Sequence, residues 1–206
     1  MKTLFAALLL ALPIVLSAGE KISLFDGKTF QGWEGDTNKT WRIENGAFVG
    51  GSLRENVPHN EFLCTERPFT NFVLRLKSKV TGKSGFINGG VQFRSQRVPK
   101  HFEVSGYQAD MGAGYWGCLY DESRRNKMLV KADADELNKV LRKDDWNDYE
   151  IRCEGRRIRL SVNGLQTVDY TEEDGKLPQF GLLGVQIHGG AIAEASYKEI
   201  TIEELP

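Results

Sequence analysis

Alternation is the feature that most restricts how this chain can fold. In "NFVLRLKSKV", Phe72, Leu74, Leu76 and Val80 point one way while Arg75, Lys77 and Lys79 point the other. Only an extended strand with one buried face satisfies that period of two. "YEIRCEG" at 149–155 repeats it, and "YKEITIEEL" at 197–205 does so with Ile200 and Ile202 inward. Asn45-Gly46 and Asn163-Gly164 fall between alternating segments and predict tight hairpin turns. No repeat, low-complexity tract or linker interrupts the pattern. The expected fold is therefore all-β, an antiparallel β-sandwich or jelly roll, formed by one domain over residues 20–206. One short helix is expected around 133–143. Leu137, Val140 and Leu141 there share a helical face, and Asp133 or Asp135 can cap its start. Trp33, Trp41 and Trp146 are expected in the core.

The first 19 residues do not belong to that fold. Lys2, an apolar run from Leu4 to Leu16, and small residues Ser17, Ala18 and Gly19 have the layout of a secretory signal peptide. The run is shorter than the ~20 residues that span a bilayer. "LSAG" is followed by Glu20 and not by a lipid-accepting cysteine, so the expected product is secreted or periplasmic, not a lipoprotein, with no membrane partner after cleavage. Without Lys2, 26 basic residues face 28 acidic ones, counted from 27 and 28 in the full chain. That near-balance argues against nucleic acid as a partner. Three cysteines, Cys64, Cys118 and Cys153, match no zinc spacing and cannot form a complete disulfide framework. Their pairing is left open, Cys153 is expected in the core, and none is expected to be a catalytic thiol.

The strands carry two kinds of polar face. One kind sets apolar residues against Lys, Arg and Glu, as a solvated sheet does. The other is found in "GGVQFRS", "YQADM" and "GVQIHGG", which pair Gln92 with Arg94, Gln108 with Asp110, and Gln186 with His188. Lysine is missing from all three pairs. Planar groups with several donors and acceptors suit a ligand dense in hydroxyls. His59 and His101 lack such company and are expected on the surface or in loops.

After the second of these strands comes "GAGYWGCLYDESRR", where glycines surround Tyr115 and Trp116. With Tyr107 and Tyr120 these rings are expected to give a stacking wall for sugars. A conventional glycosidase needs two carboxyl groups flanking the scissile bond. The strand supplies only Asp110, and Asp121 or Glu122 would have to come from the loop.

"LFDGKTFQGWEG", "WRIENGAFVGG", "GGVQFRS", "YQADMG…GCLYDE", "DDWNDYEIRCEG", "VNG" and "GVQIHGG" occur in the order seen in the 3-keto-disaccharide hydrolase domain family. The chain resembles that family from about Ser23 to Glu203. The resemblance implies a concanavalin A-like jelly roll acting on an oligosaccharide or glycoside oxidised at C3. A ketone there acidifies the C2 proton, so the glycosidic bond can break by elimination across C1 and C2, followed by hydration. In that chemistry His188 or Asp110 is the candidate base and Arg94 the charge stabiliser. Gln92, Gln108 and Gln186 would bind hydroxyls, and Tyr107, Tyr115, Trp116, Tyr120 and Asp121 would complete the substrate site. The cofactor is left unknown: a divalent metal, if present, would take Asp110, His188 and Glu103, and no organic cofactor is expected. Many members end in a strand reading like "FRNI"; this chain has "SYKEI" at 196–200, so no role of that arginine carries over. The alternatives are a non-catalytic carbohydrate-binding module and a protein-binding scaffold, because sandwiches host all of these.

Overall fold

The computed structural model describes residues 19–112 and 114–206. The expected signal peptide, apart from Gly19, lies outside them. Among the described residues no helix is long and apolar enough to cross a membrane. The strands in chain order are β1 (Lys21–Ser23), β2 (Trp33–Glu34), β3 (Trp41–Glu44), β4 (Ala47–Gly51) and β5 (Glu61–Thr65). There follow β6 (Phe72–Gly85), β7 (Asn88–Arg97), β8 (Val104–Gly112), β9 (Leu119–Glu122) and β10 (Lys127–Val130). After helix α1 (Ala134–Asn138) come β11 (Asn147–Glu154), β12 (Arg157–Val162), β13 (Leu165–Thr171), β14 (Leu182–Ile187) and β15 (Ala191–Glu204). They form two antiparallel sheets, ordered β13-β12-β11-β6-β15-β4-β3, with β1 also on β15, and β10-β9-β8-β7-β14-β5-β2. The expected sandwich is the observed one.

Both Asn-Gly pairs make their hairpins, joining β3 to β4 and β12 to β13. All four residues have positive φ, from 50° at Asn45 and Asn163 to 83° at Gly164, as a turn matched to strand twist requires. The helix is shorter than expected. Asp133 caps it, its Oδ1 accepting from the Asp135 and Glu136 N–H groups. Side chains then take over the backbone. Asn147 pairs with both the N–H and the carbonyl of Arg142, and Asn163 donates to the Val140 carbonyl at 2.9 Å.

The eight-stranded sheet buries Phe72, Leu74, Ile151, Leu160 and Ile202 and exposes ion pairs such as Arg75–Glu150 and Arg157–Asp169. Trp146 sits on this outer face, with the Lys79 and Lys198 ammonium groups over its ring, and not in the core as expected. The odd-numbered residues of β11 and its Asn147 start point inward, which leaves Trp146 on the other side. Trp33 and Trp41 are buried as expected. The seven-stranded sheet differs: β7, β8 and most of β14 are buried on both faces. Two tyrosines of the opposite sheet reach its backbone across the core. Tyr197 Oη donates to the Gln186 carbonyl at 2.5 Å and accepts from the Gly90 N–H at 3.1 Å, and Tyr149 Oη donates to the Asp110 carbonyl at 2.5 Å. Cys64, Cys118 and Cys153 are buried free thiols. Burial pushes Cys64 and Cys153 up to about 12, which makes neither a ready nucleophile.

Candidate functional site

Strand register assembles most of the expected polar face. Gly90 of β7 lies opposite Asp110 of β8 and Gln186 of β14, and Gln92 lies opposite Gln108. Directly opposed residues share a face, so Gln92, Gln108, Asp110 and Gln186 meet on the outer side of the seven-stranded sheet. Tyr120 and Glu122 of β9 join them, since Tyr120 pairs with Gln108 and Glu122 with Gly106. Gly90 has no side chain because Gln108 occupies that space. Gln108 Nε2 donates to Glu122 Oε2 at 3.0 Å.

Asn88 links Asp110 to His188. Its Nδ2 donates to Asp110 Oδ1 at 2.8 Å, and its carbonyl accepts from the His188 N–H at 3.1 Å. His188 Nδ1 lies 2.7 Å from the Gly189 carbonyl. That contact puts the ring proton on Nδ1 and leaves Nε2 as the basic nitrogen. Phe86 stands edge-on to both His188 and Tyr115, with ring centroids 4.7 and 5.4 Å away.

Burial dominates the electrostatics. It raises the Asp110 carboxyl to about 8; Asn88 opposes the rise and the neighbouring Glu122 charge adds to it. Glu122 is likewise raised by burial and by Glu103, with the hydrogen bond from Gln108 pulling it back. Tyr120 is raised by burial, then by Glu122 and Asp110. Around these carboxyls, Gln92 Nε2, Gln108 Oε1 and both polar atoms of Gln186 are buried without a protein partner. Such atoms cost free energy unless something outside the chain satisfies them.

Residues 98–103, between β7 and β8, cross this face as a strap. Glu103 accepts from Asn60 Nδ2 and from Ser123 Oγ, both at 2.9 Å, and Phe102 stacks on His59 with centroids 4.1 Å apart.

Several expected site residues lie elsewhere. Arg94 should share a face with Gln92, but the register shifts after Phe93 and Arg94 itself takes φ 49°. That bulge turns its guanidinium onto the Thr70 and Gly155 carbonyls, at 2.8 and 2.6 Å. Tyr107 and Asp121 alternate onto the core side. Tyr107 stacks on Phe93 and donates to Glu172, while Arg124 and Arg125 hold Asp121. The glycine loop splits its two rings. Tyr115 faces Phe86, whereas Trp116 stacks on Tyr149 and faces an apolar cavity of about 570 Å³ walled by Ile87, Leu137 and Leu141. Glu103 is spent on its strap bonds. Among the described residues no three His, Cys, Asp or Glu side chains converge to hold a metal, so Asp110, His188 and Glu103 do not fit one as arranged.

Asn88, Phe86, Tyr149 and Tyr197 went unpredicted. Asn88 continues the even-numbered face of Gln92 and could have been found by extending the alternation. Phe86 precedes the strand and belongs to no period.

Two antiparallel sheets, one with a polar outer face, define a β-sandwich of the jelly-roll class. A Parabacteroides distasonis protein classed provisionally as a glycosyl hydrolase superposes with TM-score 0.68 at 18% identity, over 91% of this chain and 94% of that one. A carbohydrate-binding module from Bacillus subtilis superposes with TM-score 0.65 at 16% identity, over 84% and 96%. The chain belongs to the 3-keto-alpha-glucoside-1,2-lyase-like domain family, whose model matches residues 20–203. A Bacteroides thetaiotaomicron 3-keto-disaccharide hydrolase is 32% identical over 105 residues, which are 47% of this chain and 35% of that protein.

Proposed function

We propose that the chain is an exported enzyme that cleaves 3-keto-glycosides, such as 3-keto-disaccharides, by elimination across C1 and C2 and subsequent hydration. The observation that carries this reading is Asp110, a buried carboxyl raised to about 8 beside amides with unused hydrogen-bonding atoms. At neutral pH it is protonated and can act as an acid. In the proposed step His188 Nε2 takes the C2 proton. The C–H electrons form the C1–C2 double bond, and the C1–O electrons leave with the aglycone oxygen, which takes the Asp110 proton. Water then adds across the double bond. The free amide donors of Gln92 and Gln186 supply hydrogen bonds to sugar oxygens, including the enolate oxygen that develops at C3. Phe86 and Tyr115 supply the apolar rim. Export rests on the apolar run from Leu4 to Leu16.

The test is sugar release from a 3-keto-disaccharide and from its unoxidised parent. The wild-type chain should cleave only the former, and Asp110→Asn should lower kcat by about 10²-fold or more with a smaller change in KM. Saturable glycan binding without release from either substrate would move the assignment to a binding module, the reading that the closed polar face favours next.

A further inference from the structure

The strap at 98–103 has a geometric consequence for the ligand. Asn60 precedes β5 and Ser123 follows β9, and β8, β7 and β14 lie between those two strands. At about 4.8 Å per strand, the two sides of a flat sheet would be about 19 Å apart there. One carboxylate, that of Glu103, nevertheless touches both side chains. The strap must therefore lie over the face while the sheet curls up to meet it. Gln92 and Gln186 on that face are 0% exposed. The strap is internally braced as well, with the Val98 N–H on the Glu103 carbonyl and the His101 N–H on the Val98 carbonyl. Phe102 is 40% exposed, stacked on His59 and tilted against His101, with ring centroids 4.1 and 4.2 Å away. The other boundary of the site, at Phe86, His188 and Tyr115, is partly open, with Phe86 41% exposed.

We infer that residues 98–103 make the site single-ended, so that it takes the terminal sugar unit of a glycoside and excludes a unit within a chain. An oligosaccharide laid across the strands would have to pass through the space held by Phe102 and Glu103. A terminal ring needs only the Asp110 end, with the rest of the molecule leaving past Phe86 and Tyr115. This rests on the 3-keto-glycoside reading above, and it makes Phe102 and Glu103 specificity determinants that take no part in the chemistry.

The experiment compares two tetrasaccharides of one linkage, oxidised at C3 either in the terminal non-reducing unit or in an internal unit. The wild-type chain should prefer the terminal ketone by about a hundredfold in kcat/KM. Phe102→Ala and Glu103→Ala should each narrow that gap about tenfold by raising activity on the internal ketone. Phe102 is exposed, so its variant tests the idea even if Glu103→Ala fails to fold. Equal wild-type activity on both tetrasaccharides overturns the inference, as does an unchanged gap in the Phe102 variant. Cleavage of neither removes the catalytic reading and the strap's role with it, whereas an unchanged gap alongside normal terminal cleavage removes the strap's role alone.

Discussion

Asp110 combines the two properties that matter most in this protein, since it is both buried and forced to choose a protonation state. Its folded pKa of about 8 lies above the unfolded value near 3.8, so the native state binds the proton more tightly. The stability this gives is fully present below the unfolded value and is lost as pH rises through 8. Thermal melts between pH 6 and 9 should show the wild-type chain losing about 3 kcal/mol to this group, and Asp110→Asn losing correspondingly less. A wild-type melting temperature that does not change over that range would refute the assignment. Gln108, Asp110, Gln186 and His188 were legible in the sequence because strand alternation is a strict rule and each sits within two residues of an apolar marker. The protonation state was not legible. It comes from burial of the carboxyl, to which the Glu122 charge adds, against the opposing hydrogen bond from Asn88, and no local spacing records that meeting.

Individual elements show where alternation fails. The β7 bulge breaks the parity that would have set Arg94 beside Gln92, and a single left-handed residue is enough to redirect the guanidinium. Arg94 closes the ends of two neighbouring loops through the Thr70 and Gly155 carbonyls. Arg94→Ala should therefore cost about 1–3 kcal/mol of stability, read from denaturant unfolding, while kcat/KM of the folded fraction stays within about threefold of wild type. A selective fall in kcat would return Arg94 to the reacting centre. The short helix illustrates the same limit. Its apolar spacing was genuine, but Asn147 and Asn163, distant in the sequence, supply the hydrogen bonds that end it. Both Asn-Gly hairpins were predictable because everything they need is held in two adjacent residues.

At the scale of the molecule the two sheets have different tasks. One meets water with ion pairs, and the other carries a covered polar surface. Tyr149 and Tyr197 join them, each projecting from the first sheet to the backbone of a residue that lines the second. Tyr197→Phe keeps the ring but strands the Gly90 N–H and frees the Gln186 carbonyl, at a cost of about 1–3 kcal/mol. Amide exchange at Gly90 should quicken, and an unchanged rate would show that the hydroxyl carries no load. These contacts were invisible in the sequence, where both tyrosines read as ordinary inward members of alternating strands. They also change what counts as a remote position. Substitutions along the backs of β11 and β15 act on the polar face from behind, one phenolic oxygen at a time. The opposite layer is thus a place from which the polar face can be retuned during descent without replacing a single residue on it.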